Sequence, residues 1–131
     1  MNDGGWVLDA SALIAAMRGE PGESVVRERL AEAWISAVNL SEVVAKLQDH
    51  GVPDAVIDES LAELALHVTP FDEDQAITGG KLRRATREAG LSLGDRACLA
   101  LAKSLGATAL TTDRAWRGIA VAVAVEIEVV R

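Results

Sequence analysis

Short apolar runs alternate with amphipathic helical segments along most of this chain, and this alternation limits the possible folds more than any other feature. Candidate strands lie at residues 6–8, 34–38, 68–71, 107–111 and 121–130. Apolar residues recur at helical spacing in the segments 12–17, 21–33, 40–51, 53–64, 72–89 and 94–105. Each helical crossover between two strands covers one face of a sheet. We therefore predict an α/β fold, a mostly parallel β-sheet with helices on both faces, and one domain over residues 1–131.

Particular residues mark the expected ends of these helices. Ser11 is a plausible N-cap of the first helix, and Asn39 is a plausible N-cap of the helix that follows the second strand. Glu42 then falls in the first turn of that helix. Gly79 and Gly80 are expected to interrupt or loosen the helix over 72–89.

The N-terminus and the cysteine content bear on location. Met1–Gly5 lacks the basic region of a secretory signal, and the longest apolar run, 119–125, is far shorter than the roughly 20 residues of a membrane-spanning helix. Cys98 has no second cysteine to pair with, and its apolar neighbours indicate core packing. We therefore expect a cytoplasmic protein without a membrane segment.

Acidic residues occur where predicted strands end and helices begin. Asp9 ends the first strand, Glu42 follows the second, Asp95 opens the helix that ends at Leu105, and Asp113 follows the fourth strand. The carboxyl ends of parallel strands meet in one crevice, where ligands collect. Four clustered carboxylates repel one another unless cations neutralise them, and hard oxygen ligands favour Mg²⁺ or Mn²⁺.

Helix capping is the competing interpretation for each acid. Asp is favoured at helix N-termini by capping and by the helix dipole, whatever the chemistry. For a single acid capping is the better interpretation, whereas the combination of four is more specific. The net charge of −7, from 13 basic and 20 acidic residues, argues against nucleic acid when taken alone. That objection weakens if four of these charges belong to a metal site.

Four segments resemble the successive motifs of PIN domains. They are Val7–Leu13, Asn39–Val43, Leu91–Ala102 and Leu110–Trp116. The resemblance extends from Trp6 to about Val129, and the third and fourth motifs look most like those of VapC toxins from bacterial toxin–antitoxin pairs. All four acids are present. Gly94 before Asp95 and the divergent segment 51–90 leave the choice of substrate open.

This resemblance implies a Rossmann-like sheet and a metal-dependent endoribonuclease with Mg²⁺ or Mn²⁺ as cofactor. Asp9 and Asp95 would be direct metal ligands, and Glu42 and Asp113 would complete the shell, partly through water. Beside these acids, Ser11 and Thr111 are either hydrogen-bonding partners of the site or a helix cap and a packed strand residue. The implied partners are RNA as substrate, a VapB-type antitoxin and a second copy of the chain in a homodimer.

Other readings remain beside this one. A PIN-like domain that docks a partner protein without chemistry is the main alternative, although the intact acids argue against it. Lys81, Arg83, Arg84 and Arg87 could hold RNA phosphates, or they could form a solvated face paired with Glu88 and with the acids at 72–74. Arg96 and Arg114 lie next to site acids. His50 and His67 lack metal-ligand spacing and are expected to be structural.

Overall fold

A computed structural model describes residues 4–131. Within this range the strands are β1 (Trp6–Leu8), β2 (Ala33–Ser36), β3 (His67–Thr69), β4 (Thr108–Thr111) and β5 (Ile127–Val129). The helices are α1 (Ala10–Arg18), α2 (Glu23–Arg29), α3 (Ala37–Asp49), α4 (Asp54–Leu64), α5 (Glu73–Lys81), α6 (Arg83–Thr86), α7 (Leu93–Leu105) and α8 (Ala120–Val123). Short 3-10 helices span Leu30–Glu32 and Arg114–Gly118. Of the N-terminal stretch 1–5 used above, residues 1–3 lie outside the described range.

All five described strands run parallel, in the order β3-β2-β1-β4-β5. The chain first builds the sheet outward from β1 to β3, and then returns through α5, α6 and α7 to add β4 on the other side of β1. The strand order therefore reverses between β1 and β4. In parallel α/β sheets, the crevice outside the strand ends at such a reversal is where ligands bind.

The two faces of the sheet carry two separate apolar cores, as the alternation of side chains along a strand requires. Val7 and Ala109 join the core formed with α7 and α8, whereas Leu8 and Leu110 join the core formed with α1 and α3. All four of these side chains are fully buried. The expected parallel sheet with both faces covered is confirmed.

The last strand is shorter than predicted. We expected a strand over 121–130, but Ala120–Val123 is helical and only Ile127–Val129 pairs with β4. Ile119 and Val123, four residues apart, are both buried, whereas Val121 is 94% exposed. An uninterrupted apolar run does not by itself distinguish a buried strand from a helical turn, and here the helical spacing decides the structure.

The predicted weak point at the glycine pair is also wrong. Helix α5 continues through Gly79 and Gly80, and the break comes at Leu82. A Cβ at Gly79 would lie 3.5 Å from the Arg96 carbonyl oxygen on α7, which is an ordinary van der Waals contact. The glycine pair therefore lies inside α5 and does not end it.

Two of the expected helix caps are displaced. Asp9 rather than Ser11 is the N-cap of α1, and Ser36 rather than Asn39 is the N-cap of α3. Because α3 begins at Ala37, Glu42 lies in its second turn instead of its first. No helix within residues 4–131 has the length and apolar character needed to cross a membrane.

Candidate active site

Asp9 lies at the end of β1 with both carboxylate oxygens engaged. Its Oδ1 accepts a hydrogen bond from the Ala12 backbone N–H at 2.8 Å, which caps α1. The Ser11 hydroxyl donates to the same oxygen at 2.7 Å, and the Thr111 hydroxyl donates to Oδ2 at 2.5 Å. The side chain is only 4% exposed. Burial and three donors together fix the direction in which this carboxylate points.

The two hydroxyls also connect the ends of β1 and β4. Ser11 Oγ and Thr111 Oγ1 are 3.3 Å apart, and Ser11 Oγ accepts a hydrogen bond from the Thr112 backbone N–H at 3.0 Å. Thr111 Oγ1 accepts another from the Asp113 N–H at 3.0 Å. These side chains therefore join Asp9 to the loop that carries Asp113.

Asp95 and Asp113 each begin a helical segment. Asp95 is the third residue of α7, and its Oδ2 accepts from the Ser92 backbone N–H at 2.9 Å while Ser92 Oγ accepts from the Asp95 N–H. Asp113 caps the 3-10 helix through a 2.9 Å bond from the Ala115 N–H. The capping interpretation is thus correct for Asp9, Asp95 and Asp113, although capping leaves carboxylate lone pairs free for a ligand.

The Glu42 carboxylate is positioned by the buried amide group of Asn39 and by the space that Gly94 leaves. Asn39, one turn earlier on α3, donates from Nδ2 to Glu42 Oε1 and to the Gly94 carbonyl oxygen, both at 2.9 Å. A Cβ at Gly94 would collide with the Glu42 carboxylate. The glycine before Asp95 therefore makes the space that the Glu42 carboxylate occupies.

All four predicted acids line one cleft of about 450 Å³. Lys46 and Asp49, which the sequence motifs did not single out, line the same cleft. Their spacing from Glu42, four and seven residues along α3, is the signal that would have found them, since such positions share a helix face. We call this the acid cleft. The four predicted acids and Asp49 give it five carboxylates, and Lys46 gives it one ammonium group.

Burial makes the charge at Asp9 costly. Desolvation raises the pKa of Asp9 from its usual 3.8 to about 6, the hydrogen bonds from Thr111, Ala12 and Ser11 oppose that rise, and the Asp95 charge adds to it. Partial burial likewise raises the pKa of Glu42, against the hydrogen bond from Asn39 and with the Asp95 charge. In both groups burial is the largest cause of the raised pKa, and the negative charge of Asp95 adds to it.

The donor set fits a hard divalent cation that keeps much of its water. Within residues 4–131, no Lys or Arg pairs with any of the four predicted acids. In that range no group of three or more acidic, histidine or cysteine side chains is arranged so that it could hold a metal ion by itself. Mg²⁺ typically binds through one or two carboxylates and retains several waters, so an open cleft with a buried, unpaired carboxylate suits it.

Comparison with known proteins agrees with this geometry. The sequence profile described as PIN domain matches residues 6–122. The chain belongs to the PIN-domain family. This PIN domain is 31% identical over 110 residues to Ribonuclease VapC42 of Mycobacterium tuberculosis, a match that covers 76% of the chain and 84% of that protein. The predicted membership of the VapC group is therefore confirmed.

Solved structures of toxin–antitoxin complexes share the fold of this PIN domain. DNA-bound VapBC from Salmonella typhimurium superposes with a TM-score of 0.74 at 20% identity, covering 95% of this chain and 96% of that one. VapBC2 from Rickettsia felis, bound to a promoter DNA fragment, superposes with a TM-score of 0.73 at 16% identity. The match covers 96% of this chain and 98% of that one.

The remaining polar residues singled out from the sequence have other surroundings. Arg96 donates from Nη1 to the Gly79 carbonyl oxygen at 3.0 Å, so it joins α7 to α5. Arg114 is exposed. Cys98 is fully buried, as its neighbours predicted, and burial raises the pKa of its thiol well above the usual value.

Proposed function

We propose that this chain is a VapC-type toxin, a divalent-metal-dependent endoribonuclease that hydrolyses RNA phosphodiester bonds in the acid cleft. One observation carries the proposal: four acids from four segments line a single cleft at the strand-order reversal, with Asp9 buried and unpaired. The relative named ribonuclease and the toxin–antitoxin neighbours support it.

The acids have distinct roles in this proposal. Asp9 and Asp95 contact Mg²⁺ or Mn²⁺, and Glu42 and Asp113 complete the site, partly through water. Ser11 and Thr111 hold the Asp9 carboxylate in place with their hydroxyl groups. When bound, the cation would supply a water of lowered pKa and charge stabilisation for an in-line displacement at phosphorus.

RNA cleavage by the purified chain tests the enzymatic part directly. We expect a mixed RNA pool to be cut with Mg²⁺ or Mn²⁺ and to stay intact with chelator. If the pool stays intact with metal while the chain is folded, the alternative reading of a PIN-like binding module without chemistry replaces this one. Sequencing the new RNA ends after brief induction would then identify the cleavage site.

The toxin assignment has its own test. Expression of the chain alone in a bacterium should arrest growth, and co-expression of its cognate VapB-type antitoxin should restore it. Strong expression alone, verified by blotting, with normal growth and intact RNA would refute the toxin role. We also propose that the chain forms a homodimer, and light scattering on the purified chain measures its molecular mass. For the proposed single domain, we expect one cooperative thermal unfolding transition.

An exposed apolar groove suits the antitoxin. It measures about 520 Å³ and is lined by residues of α1 to α4 and the α3–α4 loop, including Met17, Leu47, Val52 and Val56. Arg18 and Arg27 also line the groove, but they are paired with Glu20 and Glu23, and so the apolar side chains would carry the docking of an apolar antitoxin segment. Val56 is 45% exposed, and Val56→Asp should abolish rescue by the antitoxin while toxicity remains. Rescue of this variant at wild-type level would contradict docking here.

A further inference from the structure

A second charged surface lies outside the acid cleft and has the opposite sign. Lys81, Arg83, Arg84 and Arg87 fall within seven residues of a chain whose net charge is −7. All four side chains are exposed, and all four line one open groove of about 620 Å³. We call this surface the basic groove.

The neighbouring acids form no ion pairs with the described cations of the basic groove. In the described part of the chain, none of its four cations forms an ion pair within 4 Å, either with Glu88 or with residues 72–74. Asp72 instead caps α5 by accepting from the Gln75 backbone N–H at 2.9 Å. The ion pairs that a self-paired helix face would show are therefore absent among the described residues.

The lining of the groove indicates which kind of ligand it fits. Among residues 4–131, only Gly80 and Ala85 line it besides the four cations, so this range supplies none of the large apolar side chains that anchor a docked protein. A phosphate backbone needs only cations, because affinity comes from charge neutralisation and counterion release. The contrast with the apolar groove at Met17 and Val56 shows that the two surfaces suit different partners.

The basic groove lies beside the helix that carries a site acid, α7. Gly79, next to groove residue Gly80, contacts the first turns of α7, and its carbonyl oxygen accepts the 3.0 Å hydrogen bond from Arg96. Arg96 directly follows Asp95. A single-stranded RNA lying in the acid cleft could therefore extend along the start of α7 into the basic groove.

We propose that Lys81, Arg83, Arg84 and Arg87 bind the phosphates of a single-stranded RNA substrate on one side of the scissile bond. This inference rests on the proposed ribonuclease function and adds a substrate-positioning surface to it. The basic groove offsets the repulsion between an acidic protein and RNA. Because it lies outside the acid cleft, its positive charges do not repel the metal ions that the cleft would bind.

Salt dependence of RNA binding tests this proposal. The probe is a fluorescein-labelled single-stranded RNA oligonucleotide of mixed sequence, titrated with the Asp9→Asn chain in Mg²⁺ so that binding is measured without cleavage. For single strands, each phosphate contact contributes about 0.7 to the slope of log K against log salt. The Arg84→Gln/Arg87→Gln variant should therefore lower this slope by about 1.4 and weaken binding at low salt.

Two matched variants make the result specific. Arg18→Gln/Arg131→Gln removes the same charge elsewhere and should keep the slope, and Arg84→Lys/Arg87→Lys keeps the charge and should keep it too. Melting curves for all variants establish that each is folded. An unchanged slope in the Arg84→Gln/Arg87→Gln variant, an equal loss in the Arg18→Gln/Arg131→Gln control, or a loss seen only with duplex DNA overturns the proposal.

RNA cleavage by these variants, made in the chain with Asp9 intact, separates this inference from the function beneath it. If the unmodified chain cleaves RNA but the Arg84→Gln/Arg87→Gln variant has an unaltered binding slope, RNA binding by the basic groove is refuted and the ribonuclease function is supported. A reduced slope without any cleavage by the unmodified chain refutes the ribonuclease and leaves a groove that binds RNA.

Discussion

On the β1–β4 side of the acid cleft, Asp9 is buried and accepts three hydrogen bonds. On the α3 side, the Glu42 carboxylate is only partly buried and accepts one, from Asn39. The first side is built from strand ends, so backbone and neighbouring strands fix its carboxylate. The second is built from a helix face and depends on one amide and on the space at Gly94. We infer that the β1–β4 side determines whether a cation binds, and that the α3 side adjusts how well the loaded site works.

The largest effect should follow from Asp9→Asn. Outer-shell changes at metal sites cost about 10–100-fold, so loss of a direct ligand should reduce RNA cleavage by more than 100-fold. Asn keeps the N-cap of α1 and removes a buried charge, so the metal-free variant should be more stable at neutral pH, by about 1–3 kcal/mol. Cleavage assays and thermal melts with chelator measure the two quantities.

Asp95→Asn provides the companion test, because Asp95 is less buried but caps α7 through Ser92. Asn can accept the same hydrogen bond, so cleavage should fall steeply while stability stays within about 1 kcal/mol of wild type. Retained cleavage together with clear destabilisation, in either variant, would return both residues to a capping role alone.

The pKa of Asp9 predicts the pH dependence of the site. Because that pKa is about 6, cation affinity and cleavage should fall as the pH drops below 6, by up to about tenfold per unit. In metal-free protein the folded chain holds this proton more tightly than the unfolded chain. The contribution of Asp9 to stability is therefore most favourable below about pH 4 and is lost as the pH rises from about 4 to 6. Asp9→Asn should lack that trend.

Thr111→Val sharpens the pH comparison. The Thr111 hydroxyl lowers the pKa of Asp9, so its removal should shift the acid limb of the pH–rate profile to higher pH. Thr108→Val, the same change in the same strand but bonded to Glu126 rather than to Asp9, serves as the control and should leave that limb in place. Equal profiles for the two variants would contradict a positioning role for Thr111.

On the α3 side, Gly94→Ala should act through Glu42. The added methyl group must displace the flexible Glu42 side chain, so we expect a roughly 10–100-fold loss of cleavage with stability changed by no more than about 1 kcal/mol. Gly118→Ala, which meets no atom within 4 Å, is the control. In a Glu42→Gln background the Gly94→Ala change should have little further effect, and full additivity would show that the glycine acts elsewhere.

The smallest effect is expected at Asp49, at the outer end of the α3 face. Asp49→Asn removes one exposed charge from the acid cleft, and exposed charge interactions are worth up to about 1 kcal/mol. Mg²⁺ affinity should therefore fall by up to about fivefold, whereas Asp58→Asn on α4, outside the cleft, should leave it unchanged. Equal Mg²⁺ affinities in the two variants would remove Asp49 from the site.

The sequence predicted the β1–β4 side better than the α3 side for a physical reason. Asp9 and Asp113 come directly after apolar strands, and strand ends in a parallel sheet converge wherever the sheet is built, so local pattern was sufficient. The position of the Glu42 carboxylate depends on Gly94, which lies 52 residues away in the chain. Such a tertiary contact produces no pattern in the local sequence. Asn39 was assigned to capping for the same reason. The final strand failed because an apolar run suits both a strand and a buried helical turn.

Calorimetric titration of Mn²⁺ into metal-free protein at neutral pH measures the cation site without RNA, antitoxin or turnover. We expect saturable binding to the wild-type chain, at least about tenfold weaker binding in Asp9→Asn and little change in Asp58→Asn. The melting temperature of the wild-type chain should rise with Mn²⁺ concentration. Indistinguishable titrations for wild type and Asp9→Asn, or a melting temperature indifferent to both Mn²⁺ and chelator, would contradict a cation site at Asp9.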